Sequence, residues 1–150
     1  AENVDYAVKR LLSKPMEVPL FLLPLMNVYM TIRRLKKDDK IVRRIVEVYE
    51  ATGVDLEKRS LTLNKIFIYD PDKDITEMTG ESFLLKKIAD EKFVTLEEVK
   101  AELARRRRVV EYLVEKNVVN FEKVSRIVRD YYRRPVEVYQ MMETGAYELA

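Results

Sequence analysis

Four arginines in succession, Arg105 to Arg108, are the densest run of one chemistry in the chain. Guanidinium groups take phosphate oxygens in pairs, so such a run suggests nucleic-acid backbone or a nucleotide as partner. On a helix, four consecutive residues fan around the axis at about 100° each and cannot form one patch. Glu102, Glu111 and Glu115 stand at helical spacing from these arginines, which makes a solvated, ion-paired face the plainer reading. Arg105 and Arg108 point away from the expected apolar stripe. Arg106 falls inside it, between Leu103 and Val110, and is expected to be a buried or interface ion-pair residue.

Three further groups have types and spacing that could do chemistry. Arg33, Arg34, Arg43 and Arg44 flank Lys36, Lys37 and Lys40 around one hairpin tip. Such a cluster could dock an acidic partner or anionic headgroups. It could equally solubilise the tip and guard the strand edges, which Asp38 and Asp39 in its middle favour. Asp70, Asp72 and Asp74, with Glu81 beyond them, match several positions of a calcium-binding loop. Ile75 stands where that loop requires glycine and the flanks read as strands, so ordinary turn chemistry is the simpler account. Tyr131 and Tyr132 beside Arg133 and Arg134 could stack on bases, but Tyr131 continues an apolar stripe and belongs to a core.

What is missing narrows the chemistry further. The chain of 150 residues has no cysteine, histidine or tryptophan, so disulfides, zinc fingers and Ser-His or Cys-His triads are excluded. Its three glycines, Gly53, Gly80 and Gly145, are too far apart to build a phosphate-cradling loop. No catalytic, cofactor-binding or metal-ligating residue is therefore assigned. A net charge of +2 supplies no broad field for nucleic acid or membrane. The longest apolar stretch, Val18 to Met26, is nine residues broken by two prolines, against about 20 for a bilayer span. The chain opens at Ala1 without an initiator Met or a signal segment, and reads as a piece of a longer protein. Many Lys, Arg and Glu with a single Gln fit a heat-adapted composition.

The elements that must position these residues follow from periodicity. Val4, Val8, Leu11 and Leu12 predict a helix over 4–13, ended by Lys14-Pro15. Pro19 then opens a short helical turn that Pro24 ends or kinks. Val28, Met30 and Ile32 alternate with polar residues and predict a half-buried strand. A polar turn at 36–40, a strand over 41–49, a break at Gly53, a strand over 61–69, a turn at 70–74 and a short strand over 75–78 complete an antiparallel meander. Thr79 or Ser82 caps the next helix, and Thr95 with Glu98 forms a capping box for a helix over about 96–116. Its expected apolar stripe is Leu96, Val99, Leu103, Val110, Leu113 and Val114. Phe121, Val124, Ile127, Val128 and Tyr131 mark the following helix, and Pro135 opens a last one that stops near Gly145. The fold class is α+β: an N-terminal helix and β-meander over 1–81, then a helical bundle over 82–150.

Several stretches together resemble one family, the hexameric secretion ATPases of archaeal type II and type IV filament systems, among them the archaellum motor ATPase. Leu11-Leu-Ser-Lys-Pro-Met-Glu-Val-Pro19 is similar to the loop after that family's histidine box. Arg43-Arg-Ile-Val-Glu-Val-Tyr-Glu50 is similar to its Arg-Arg-x-x-Glu-x-x-Glu strand, and Ile66-Phe-Ile-Tyr-Asp-Pro71 to its aromatic-Asp-Pro hairpin. Arg106-Arg-Arg-Val-Val-Glu-Tyr-Leu113 and Val128-Arg-Asp-Tyr-Tyr-Arg-Arg-Pro135 resemble its C-terminal helices. The resemblance implies the C-terminal part of a RecA-like motor domain, whose meander forms the edge of a sheet begun upstream. It further implies that the full-length protein hydrolyses Mg-ATP as a homohexamer in the cytoplasm, at the inner face of the membrane. There it would work with a membrane platform protein, without nucleic acid. The family's phosphate-binding Lys, catalytic Glu, acidic box and histidine box would all precede Ala1, so this chain alone would bind no cofactor and turn over no ATP. The chain would contribute subunit contacts and force transmission; Arg106, Arg33, Arg34, Arg43 and Arg44 are its candidate interface or ion-pair residues. A non-enzymatic helical adaptor for a protein or nucleic-acid partner is the alternative.

Overall fold

The computed structural model describes residues 3–147. The fold is α+β, and the chain divides into two compact units between Ile88 and Ala89. The division falls inside a helix, a few residues beyond the boundary at 82 expected from periodicity.

In the first unit, helix α1 spans Val4–Leu12. The Asn3 side chain caps it by accepting from the Tyr6 N–H at 2.9 Å. A 3₁₀ segment, Leu20–Met26, runs on through Pro24, which donates no backbone hydrogen bond to it. Strands β1 (Val28–Lys37), β2 (Lys40–Asp55), β3 (Ser60–Asp70) and β4 (Ile75–Met78) form a four-stranded antiparallel sheet in the order β1-β2-β3-β4. Asp38 and Asp39 both take positive φ, 46° and 61°, as the two-residue turn between β1 and β2 requires. Gly53 does not break the chain as expected. It lies within β2, at a register shift opposite Thr62 that lets the strand bend and continue.

The alternation in β1 is present, but the buried side is not the expected one. Tyr29 and Thr31 are buried, while Val28, Met30 and Ile32 are exposed. The register explains this. Tyr29 lies opposite Tyr49, and Ala51 opposite Leu63, so they share one face of the sheet. Val4 and Val8 of α1 pack on that face against Tyr29, Tyr49, Ala51, Leu61 and Leu63. The Tyr29 hydroxyl then finds its partner in the carbonyl of the fully buried Leu23, at 2.9 Å.

Helix α2 (Phe83–Lys92) follows β4. In the second unit, α3 (Leu96–Glu115), α4 (Phe121–Arg133) and α5 (Pro135–Glu143) surround a core of Val109, Tyr112, Leu113, Ile127, Tyr131, Val138 and Met142, closed by Tyr147. The Thr95–Glu98 capping box forms as expected, with both reciprocal bonds present. Pro135 opens α5, and Gly145 follows its end at φ 71°. Tyr147 donates to Asp130 at 2.8 Å; burial first, and then this bond, push its hydroxyl pKa up to about 12.

The α3 stripe is rotated from its expected position. Leu113 is buried, but the core is completed by Val109 and Tyr112, while Leu103, Val110 and Val114 are exposed. Likewise Phe121 and Val128 of α4 are exposed, although Ile127 and Tyr131 are buried as anticipated.

Candidate functional site

Strand pairing settles the geometry of the hairpin arginines. Arg33 lies directly opposite Arg44, and Arg34 opposite Arg43. Like charges at such positions repel unless something neutralises them. For Arg44 the neutraliser is Asp74, which accepts from Nε at 2.7 Å and from the other guanidinium arm at 2.9 Å. Tyr69 donates to the same carboxylate at 2.7 Å, and Lys37 stands 3.0 Å from it. These bonds, Arg44's first, hold the Asp74 carboxyl far below the usual carboxylate range. Asp70 accepts the backbone N–H groups of Asp72 and Lys73 at 2.9 and 3.2 Å. Two of the three turn aspartates thus fasten the hairpin instead of facing a calcium ion.

Arg34 and Arg43 have no such counter-ion among the described residues, and both are exposed. They share a face of the sheet with Met30, Ile32 and Ile45, 59%, 61% and 38% exposed. Val28 at one end of this row and Met78 on β4 are also exposed. One side of the sheet is covered by α1; on the other, Val48 and Glu50 are buried, while edge strand β1 presents an exposed apolar row ending in a cationic pair. Edge strand β1 has pairing on one side only.

The two glutamates of the Arg-Arg-x-x-Glu-x-x-Glu stretch have different tasks. Glu47 accepts from Lys65 at 2.9 Å and from Tyr49 at 3.2 Å, and the lysine bond foremost lowers its pKa. Glu50 is only 2% exposed and meets the start of α2. It accepts the Phe83 N–H at 2.6 Å, the Leu84 N–H at 3.2 Å and the Ser82 hydroxyl. The Ser82 oxygen in turn accepts the Leu85 N–H at 3.0 Å. The open donors of the helix and its positive end thereby hold a carboxylate that would otherwise be costly to bury. Sequence reasoning did not single out Glu50. Its signal was a carboxylate within an otherwise apolar strand segment.

Every arginine of the 105–108 run is paired. Arg105 and Arg106 both reach Glu102 at 2.9 Å, Arg107 reaches Glu111 at 2.8 Å, and Arg108 bridges Glu115 at 3.1 Å and Glu143 at 2.8 Å. The run is an ion-paired face and not an open phosphate surface. Arg106 forms its ion pair, but its side chain is 58% exposed and not buried within an apolar stripe. Arg108, expected on an open face, is the most enclosed of the four at 30%. The reason is the rotated phase of α3. Partial burial opposes ionisation of Glu102, yet hydrogen bonds from Arg106, Arg105 and Tyr131 outweigh it and keep its pKa low. Tyr132 is 82% exposed and Tyr131 is in the core, so the two do not form a joint stacking platform.

Three proteins of Methanocaldococcus jannaschii are similar to this chain. Uncharacterized protein MJ0781 is 28% identical over 131 residues, covering 87% of this chain and 18% of its own length. Uncharacterized protein MJ1287 is 28% identical over 131 residues, covering 87% and 48%. Uncharacterized protein MJ0900 is 28% identical over 141 residues, covering 91% and 26%. The chain spans less than half the length of each of these curated relatives. No protein-family model matches it. No helix among the described residues is long and apolar enough to cross a membrane.

Proposed function

We propose that this chain is the C-terminal part of a hexameric secretion or motility ATPase of the archaeal filament type, contributing subunit contacts and force transmission. The observation that carries this reading is the exposed apolar row that edge strand β1 and its neighbours present on one face of the sheet. Val28, Met30, Ile32, Ile45 and Met78 are apolar and exposed beside an edge strand of ten residues. An exposed apolar edge is a liability that proteins cover. Preceding strands of a RecA-like sheet would pair with the free edge of β1, and the elements packed on that larger sheet would cover the exposed row. The five family-like stretches, in their order, support the same reading. Arg34 and Arg43, without counter-ions among the described residues at the end of the row, suit a subunit contact with acidic groups. Mg-ATP, the homohexamer neighbours and a platform protein at the cytoplasmic face of the membrane belong to the full-length protein in this reading.

The coding sequence ahead of Ala1 tests it. It should encode a His within a few residues. About a hundred residues further back there should be a G-x-x-x-x-G-K-[ST] loop between a strand and a helix. An apolar strand ending in acidic residues should stand between them, to hold Mg²⁺ and orient water. A start codon directly before Ala1 would sink the motor reading in favour of the adaptor.

A further inference from the structure

Helix α4 has a wider apolar arc than its own unit covers. Ile127 and Tyr131 are buried, while Phe121, Val128 and Tyr132 are 81%, 53% and 82% exposed. At about 100° per residue, Phe121, Val128 and Tyr132 lie within about 20° of one line, with Ser125 beside it. This stripe is about 16 Å long. Its spacing reads the same in both directions: four residues, then three, then four.

From this we infer that α4 is the contact between two copies of the chain, paired antiparallel about a two-fold axis near the 126–127 peptide. A two-fold contact must be self-complementary, each residue meeting what its mate meets in return. Reversal brings Phe121 of one copy to the level of Tyr132 of the other, and Ser125 to the level of Val128. The charges obey the same symmetry. Glu122, Arg129 and Arg133 lie on one flank of the stripe, about 80–120° from it. Two antiparallel helices keep such flanks on the same side of their contact. Glu122 of one copy then stands between the levels of Arg129 and Arg133 of the other. None of these three has an ion-pair partner among the described residues, whereas every arginine of the 105–108 run has one. A lipid surface would not make use of Glu122 within that flank, and an unrelated helix would not require the symmetric spacing. Aromatic and arginine side chains are those that carry such contacts. One helix of thirteen residues makes a small interface, so the dimer is weak. The inference stands independently of the ATPase reading.

Sedimentation equilibrium from about 10 μM to about 1 mM tests it, with circular dichroism melts as the check on folding. The chain should show a monomer–dimer equilibrium, and Val128→Asp, at an exposed position, should raise the dissociation constant at least tenfold with the melt unchanged. Glu122→Arg and Arg133→Glu should each weaken it several-fold, and the two together should restore it. A strict monomer throughout the range overturns the inference, as does a dimer indifferent to Val128→Asp and to the charge swap. A monomer that binds anionic phosphatidylglycerol vesicles through Tyr132 would assign the stripe to lipid and overturn it as well.

Discussion

A carboxylate at 2% exposure survives in the first unit because the start of a helix meets it: Glu50 takes two N–H groups of α2 and the Ser82 hydroxyl. Glu50→Ala leaves those donors without partners and should cost about 2–4 kcal/mol in urea unfolding. Glu50→Gln keeps part of the geometry and should cost less, and equal small losses for both would show that the carboxylate is incidental. In the second unit, the exposure of Arg106 predicts that Arg106→Ala costs about 0.5 kcal/mol or less. Arg108→Ala gives up two carboxylate partners and should cost more than Arg106→Ala in the same melts. The reverse order would restore the phase read from the apolar stripe. The carboxylates Asp74, Glu47 and Glu102 all titrate below their usual values in the fold. A depressed folded pKa gives stability that is present above the unfolded value and lost as pH falls through the folded one. Thermal midpoints should therefore hold near neutrality and fall below about pH 4.5. Glu102→Gln should flatten that fall, and an unchanged acid limb would contradict its part in it.

At the scale of the element, boundaries were more legible than faces. Helix α3 begins at Thr95 because the Thr-x-x-Glu pattern satisfies two helix-end groups by local bonding alone. Its removal by Thr95→Ala should cost about 1 kcal/mol, measurable as a drop in the thermal midpoint. Asp-Pro-Asp and Asp-Asp likewise marked their turns, since turn chemistry is confined to a few neighbouring residues. Faces depend on what arrives from elsewhere in the chain. Val28, Met30 and Ile32 are the more apolar side of β1, yet α1 covers the side of Tyr29 and Thr31. In α3 the apolar arc is broad enough to contain both the buried Leu113 and the exposed Val110, and Tyr112 decides the phase. Tyrosine is easily passed over in a hydrophobic count, although its ring fills a core while its hydroxyl keeps a polar partner. Glu50 and the opposed pair Arg34 and Arg43 were visible as residues but not as partners, because only strand register sets them opposite or beneath anything.

For the whole molecule, the proposed reading takes the exposed apolar row along β1, its free edge, and Arg34 and Arg43, which have no counter-ion among the described residues, as one surface to be covered. In the first unit α1 packs on one face of the sheet and Glu50 ties the start of α2 to β2; in the proposed reading, strands outside this chain would continue the sheet. The decisive measurement is Mg²⁺-dependent ATP turnover, made on this chain alone and on the same chain continuous with the segment its gene encodes upstream. The account predicts no turnover above buffer for the chain alone and clear turnover for the continuous protein. Met30→Asp, which places a charge on the exposed row that the proposal covers, should reduce the latter at least tenfold. Hydrolysis by the isolated chain, or a continuous protein that neither hydrolyses ATP nor responds to Met30→Asp, would contradict it.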